Sequence, residues 1–202
     1  FTAFDAVANP EVRGMWGGIV VLGTAPIGEE GNNEKIEGIQ GDASVTWNFY
    51  GGTDANDNSG TLQYVSIRHG GAIIAPGNEL NGLTLGGVGA GTTIENIEII
   101  SNSDDGLECF GGNVDVTNLL VYNQGDDAVD IDEAYSGTVS NAVIHLGASS
   151  DTAFEIDGRE DAGSTAVDSS ILTSISYTID GVTVIGSGGD CDLGDQLGDW
   201  KS

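Results

Sequence analysis

The sequence predicts an all-β solenoid of stacked coils, on three observations. Short β-branched strands recur about every 22 residues, asparagine or glycine interrupts them at a fixed place, and no helical segment separates successive strands. The first strand of the unit is read at residues 62–68 (LQYVSIR), 94–100 (IENIEII), 116–122 (VTNLLVY), 139–145 (VSNAVIH) and 179–185 (IDGVTVI). The central steps are 22 and 23 residues, and the outer ones are longer, so they carry insertions. Apolar residues align as Leu62, Ile94, Val116, Val139 and Ile179, then Val65, Ile97, Leu119, Ala142 and Val182, then Ile67, Ile99, Val121, Ile144 and Val184. The third position holds Tyr64, Asn96, Asn118, Asn141 and Gly181. Asn and Gly both tolerate the left-handed backbone of a sharp bend.

The second strand of each unit reads small, apolar, polar, apolar: residues 82–85, 106–109, 128–131 and 153–156, at steps of 24, 22 and 25. Without helices between the strands, a βαβ sheet is disfavoured. A β-sandwich of short strands is the competing fold, but sandwich strands need no 22-residue register. Residues 16–22 (WGGIVVL) read as a buried strand and residues 28–41 as an exposed excursion. Residues 69–80 and 158–176 exceed the other bends and are expected to protrude as loops, where function is often carried. The Gly-rich run 86–91 reads as a flexible bend. Residues 1–202 are expected to form a single domain with open sheet edges, as part of a longer protein or an assembly.

This pattern resembles the right-handed parallel β-helix, the fold of pectin lyase-like proteins. Coils stacked at roughly 4.8 Å place equivalent side chains in columns. The apolar columns would fill the bore, and Asn96, Asn118 and Asn141 would form an amide ladder. Cys109 falls in an inward column with Leu85, Ile131 and Ile156, as a buried thiol. Cys191 lies too far along the stack to bridge to it. His145 shares an outward column with Arg68, Ile100, Tyr122 and Ile185, and His69 begins a protruding loop.

The same alignment stacks charge. Asp104, Asp126 and Asp151 coincide, as do Glu108, Asp130 and Glu155, with shorter pairs Asp105–Asp127 and Asp132–Asp157. These residues are expected outside the bore, one rung apart. Like charges ~5 Å apart repel by roughly 0.8 kcal/mol in water and several times that at a dielectric near 20. Salt can screen them, protons can neutralise some, or a hard cation can bridge them. Oxygen-only ligands favour Ca²⁺. Asp54, Asn56 and Asn58 match the first three ligand positions of a calcium loop, but Ser59 and Val65 stand where that loop wants Gly and Glu, so a polar turn is an equal alternative.

Composition narrows the partners. Of 202 residues, 33 are Gly and 32 are Asp or Glu against only 5 Lys or Arg, a net charge of −27. That balance opposes binding to nucleic acid or an anionic membrane and favours cations or a saline extracellular setting. Mean hydropathy of −0.05 is too high for a disordered acidic tail, and no apolar run approaches the ~20 residues of a membrane span.

At residues 14–23 (GMWGGIVVLG), 58–65 (NSGTLQYV), 81–87 (NGLTLGG) and 104–112 (DDGLECFGG) the chain looks like a group of secreted bacterial β-helix proteins. The resemblance implies an extracellular or cell-surface location and no established activity. It suggests a non-catalytic, calcium-stabilised module for structure, adhesion or assembly, with further copies or domains of the same protein as partners. The superfold also hosts polysaccharide hydrolases and lyases. Polygalacturonases carry Asn-Thr-Asp, Asp-Asp, Gly-His-Gly and Arg-x-Lys motifs. The chain offers 102–104 (NSD), Asp126 and Asp127, His145 in 145–147 (HLG), and Arg159 in 159–161 (RED) in similar order. Asp104, Asp126, Asp127, His145 and Arg159 are thus the candidates for an enzyme acting on polysaccharide. The His motif lacks its first Gly and the basic motif its Lys.

Overall fold

The computed structural model describes residues 11–28, 33–39, 44–74, 79–156, 176–187 and 199–200, the last two as backbone pairing. The strands are β1 (Ile19–Leu22), β2 (Glu34–Lys35), β3 (Phe49–Tyr50), β4 (Thr61–Arg68), β5 (Leu83–Gly86), β6 (Thr93–Ile100) and β7 (Leu107–Phe110), then β8 (Val116–Tyr122), β9 (Val129–Asp132), β10 (Thr138–His145), β11 (Phe154–Ile156), β12 (Thr178–Asp180), β13 (Thr183–Ile185) and β14 (Asp199–Trp200). From β4 to β12 successive strands alternate between two parallel sheets. One runs β1-β5-β7-β9-β11-β14; the other runs β12-β10-β8-β6-β4, with β13 also on β10. This is a parallel β-helix. Among the described residues, no helix is long and apolar enough to cross a membrane.

The register matches the columns read from the sequence. Ile94 pairs Val116, Ile97 pairs Leu119 and Ile99 pairs Val121, and Val139, Ala142 and Ile144 continue them on β10. In the other sheet Leu85, Cys109, Ile131 and Ile156 stand in line. These columns meet in one buried core between the sheets. The first positions of the second stretch are small because the coils nearly touch there. A Cβ on Gly106 would lie 2.6 Å from a Val121 methyl and from the Ala128 carbonyl oxygen.

The bend position is left-handed in every coil: φ is 56° at Tyr64, 56° at Asn96, 59° at Asn118, 55° at Asn141 and 67° at Gly181. The amide ladder forms along it. Asn118 Nδ2 donates to Asn96 Oδ1 at 2.9 Å, and Asn141 Nδ2 to Asn118 Oδ1 at 3.3 Å. A second left-handed column, His69, Ser101 and Asn123, turns the chain after β4, β6 and β8.

Four expectations need correction. His69 is buried rather than in a projecting loop, because its ring meets the Val12 carbonyl at 2.7 Å. Segment 69–80 does not project as a whole. Residues 69–71 are buried and Gly71 N–H bonds Gly17 O at 2.7 Å, whereas Ile73 and Ile74 are exposed. The Gly-rich run is not a loose bend: Gly89 packs so closely on residue 57 that a Cβ would fall 2.5 Å from the Asp57 nitrogen. The excursion at 28–41 is tied down in its described part. β2 pairs antiparallel with β3, and Ile27, Ile36, Tyr50 and Phe110 build a second small core. Phe110 lies on the outward side of β7, so this excursion covers the outer face of the β5–β7–β9 sheet. Its apolar residues are isolated in polar sequence, which is why no periodicity announces them. The 158–176 loop, Asp157, Arg159 and Cys191 lie outside the described residues.

Candidate metal centre

Three oxygen-bearing columns run along this covered sheet and the turn before it. The column just ahead of the small residues is Asn81, Asp105, Asp127 and Thr152, fixed by the bonds Gly82 N to Asp105 O, Gly106 N to Asp127 O and Ala128 N to Thr152 O at 2.9, 2.9 and 3.0 Å. Here a carboxylate takes the place of a ladder carbonyl. Asp105 Oδ1 accepts from Asp127 N at 2.9 Å, and Asp127 Oδ1 accepts from both Thr152 N and Thr152 Oγ1 at 2.6 Å. The column on the strand itself is Thr84, Glu108, Asp130 and Glu155. The third, Asp104, Asp126 and Asp151, borders solvent.

Three groups of carboxylates have ligand oxygens within 4.8 Å of one another: Asp104 with Asp105 and Asp126, Asp105 with Glu108 and Asp130, and Asp126 with Asp127 and Asp151. Asp105 joins the first two groups, and Asp126 joins the first and third. Of the expected ligands, the structure thus brings together Asp104, Glu108, Asp126, Asp130 and Asp151. Glu155 stands beside Asp127 and shares a hydrogen bond with it. Asp105 and Asp127, which the repeat shows only as a pair, tie the columns to one another.

These acids stand outside the bore, as the repeat predicts, yet several are buried. Asp127, Glu108, Asp105 and Asp130 are only 2, 5, 8 and 9 % exposed. The described part of the excursion reaches this face, where its Glu37 acts on Glu108. Burial leads the titration of Asp104, Asp105, Glu108, Asp126 and Asp127. It pushes Asp104 up to about 7, helped by Asp126 and Glu79. It pushes Asp127 up to about 7 as well, helped by Glu155 and opposed by the two Thr152 bonds. Asp105 rises well above the carboxylate range through burial and then Asp130 and Asp104, opposed by the bond from Asp127 N. Glu108 does so through burial and then Asp105, Asp130, Glu37 and Asp132. Asp126 rises through burial, Asp151, Glu155 and Glu79. The charges acting on all five are carboxylates. Two unit charges 4.8 Å apart at a dielectric near 20 repel by about 3.5 kcal/mol. Burial and mutual repulsion both oppose full ionisation of these acids, an opposition that salt, protons or a cation would relieve. All their donors are oxygens, the set a hard ion such as Ca²⁺ takes.

The other candidates are placed elsewhere. In the 54–60 loop, Asp54 Oδ1 accepts from Asn56 N at 3.0 Å and Asn58 Oδ1 from Gly60 N at 2.9 Å, so both oxygens serve the turn. Asp57, which the motif leaves out, pins that loop: it accepts from Thr24 Oγ1 at 3.1 Å, Ser59 Oγ at 2.8 Å and Gly89 N at 3.3 Å. His145 stacks edge-on against Tyr122, ring centres 5.1 Å apart, and none of the three acid groups contains a histidine.

Asn81 is the residue that sequence reasoning missed. Its column position follows from the register, but an Asn below two Asp residues carries no signal of its own. A family model described as a pectate-lyase like beta helix domain matches residues 3–193. No curated protein and no solved structure matches the chain.

Proposed function

The chain belongs to the pectate-lyase-like β-helix domain family, and from that premise we propose that it is a non-catalytic, calcium-stabilised extracellular module serving cell-surface structure, adhesion or assembly. One observation carries the reading: seven carboxylates converge in three linked groups, and the charges acting on Asp104, Asp105, Glu108, Asp126 and Asp127 are all carboxylates. Calcium is abundant outside cells, and an oxygen-only site selects it over softer metals. Domains of this family are often extracellular, which agrees with that setting. Further coils or copies are the natural partners. At one edge of the second sheet Leu62 and Val65 are half-buried, and at the other Ile179, Val182 and Val184 are, while their column-mates are buried. An added strand would complete both.

A second reading, a polysaccharide hydrolase or lyase, is favoured by Asp104 and Asp127, two carboxyls poised at about 7 as a general acid would be. Against it, Asp127 Oδ1 is committed to Thr152 and His145 stands with Tyr122. Thermal melting with calcium or with chelator, run beside reducing-end release from acidic polysaccharides, separates the two. A chelator-sensitive melt without sugar release supports the module. Release that disappears in Asp127→Asn supports the enzyme.

A further inference from the structure

The interior group differs from the other two. Asp105, Glu108 and Asp130 are all buried, and the amide of Asn81, 1 % exposed, lies against them. Asn81 Nδ2 donates to Glu108 Oε2 and, at 3.4 Å, to Thr84 Oγ1. Its Oδ1 is buried with no hydrogen-bond partner. A buried amide oxygen without a donor costs about 1–3 kcal/mol, a cost that a cation within its reach would remove. Turning the amide over exchanges O for N with no change of shape, which would bring Oδ1 toward the three carboxylates.

We propose that Asp105, Glu108, Asp130 and the Asn81 amide oxygen hold one hard divalent cation, and that this ion fastens the excursion with its β2, together with the β3 it pairs, onto the outer face of the β5–β7–β9 sheet. The proposal rests on the reading that these carboxylates take calcium, and adds where the ion acts. The excursion brings its own negative charge to the seam: Glu37 acts on Glu108, and Tyr50 lies in the field of Glu34, Glu108, Asp132 and Glu133. Among the described residues its attachments include Gly28 N to Glu133 O at 2.8 Å, Gly112 N to Pro26 O at 2.9 Å, and the small core around Phe110. Without a cation the acids of sheet and excursion repel; with one they share a counter-charge. Cys109, the nearest soft ligand in sequence, faces the bore in line with Leu85 and Ile131, so the site offers oxygen alone.

The test is hydrogen exchange by mass spectrometry on the full chain, in millimolar calcium or in chelator, with calcium binding followed by calorimetry. In the wild type, calcium slows exchange of amides in 33–39 and 44–50 by about tenfold or more. The surface variant Asp126→Asn/Asp151→Asn keeps that response. The interior variant Glu108→Gln/Asp130→Asn, relieved of its repulsion, holds the excursion closed in chelator and does not respond to calcium. Asn81→Ala raises the calcium midpoint by about tenfold. Calcium binding that leaves excursion exchange unchanged, or that protects it equally in the interior variant, overturns this site while leaving the calcium reading standing. An absence of calcium binding in wild type and variants alike overturns both.

Discussion

Replacing Glu108 by glutamine should stabilise the metal-free chain. Glutamine keeps the length of the side chain and an Oε1 that can accept from Asn81 Nδ2, so packing and that hydrogen bond are conserved. What it removes is a buried charge with two carboxylates, Asp105 and Asp130, whose oxygens lie within 4.8 Å. Each ionised pair at that distance costs about 3.5 kcal/mol at a dielectric near 20. Partial protonation of the group lowers the total, so a net gain of roughly 2–4 kcal/mol at about pH 8 is expected. For a chain of this length each kcal/mol moves Tm by about 2–4 °C, so the variant should melt roughly 4–16 °C higher in chelator. At about pH 4, where Glu108 is protonated in the wild type, the gain should vanish. In saturating calcium it should reverse, because the wild type alone is held by the ion. Calorimetric melting under these three conditions is the assay. A Glu108→Gln chain that melts below the wild type in chelator at about pH 8 would refute the reasoning, since the carboxylate would then be compensated in the metal-free fold.

The acids also set a pH dependence. The folded-state values of Asp104 and Asp127, about 7, lie above their ordinary 3.8, so the folded chain binds more protons than the unfolded one between these limits. In chelator, stability should therefore be greatest near pH ~4 and fall as pH rises through ~7, read by urea unfolding; a rise over that window would contradict the electrostatics. In the amide ladder, Asn118→Gly keeps the backbone at φ 59° but loses the bonds to Asn96 and Asn141, at a cost of about 1–2 kcal/mol in denaturant unfolding. Asn118→Val adds the strain of a β-branched left-handed residue and should cost about 2–4 kcal/mol; equal costs would deny the role of the bend. Cys109 is fully buried and burial pushes its thiol up, so peptide mapping after alkylation should find it unlabelled until the chain unfolds. Labelling of Cys109 at native rates would place it outside the core.

Much of the scaffold was legible because stacking repeats the same demand in every coil. Ile99, Val121 and Ile144 are interchangeable in the sequence because they occupy one column, and the asparagines recur because each coil bends to φ near 57° at that point. The carboxylate columns were legible for the same reason. Their burial was not: one segment that reaches this face, held by Ile27, Ile36 and Tyr50 at irregular spacing, brings Glu37 into the field of Glu108. A periodic pattern reports what neighbouring coils do to one another and is silent about a one-off segment folded across them. His69 escaped likewise: its burial depends on the Val12 carbonyl, 57 residues away in sequence. In the D-x-N-x-N stretch, Asp54 Oδ1 and Asn58 Oδ1 accept from local backbone N–H groups, while Asp57, between the motif positions, makes the distant contacts.

Equilibrium dialysis of the purified chain against labelled calcium, in buffer of physiological ionic strength, addresses the central claim with the fewest assumptions. At least one calcium ion per chain should be retained at millimolar free calcium, with uptake reduced in the Glu108→Gln/Asp130→Asn variant. Retention no greater than that of an acidic protein without such carboxylate groups would mean that the converging acids are kept in place by protons and solvent alone.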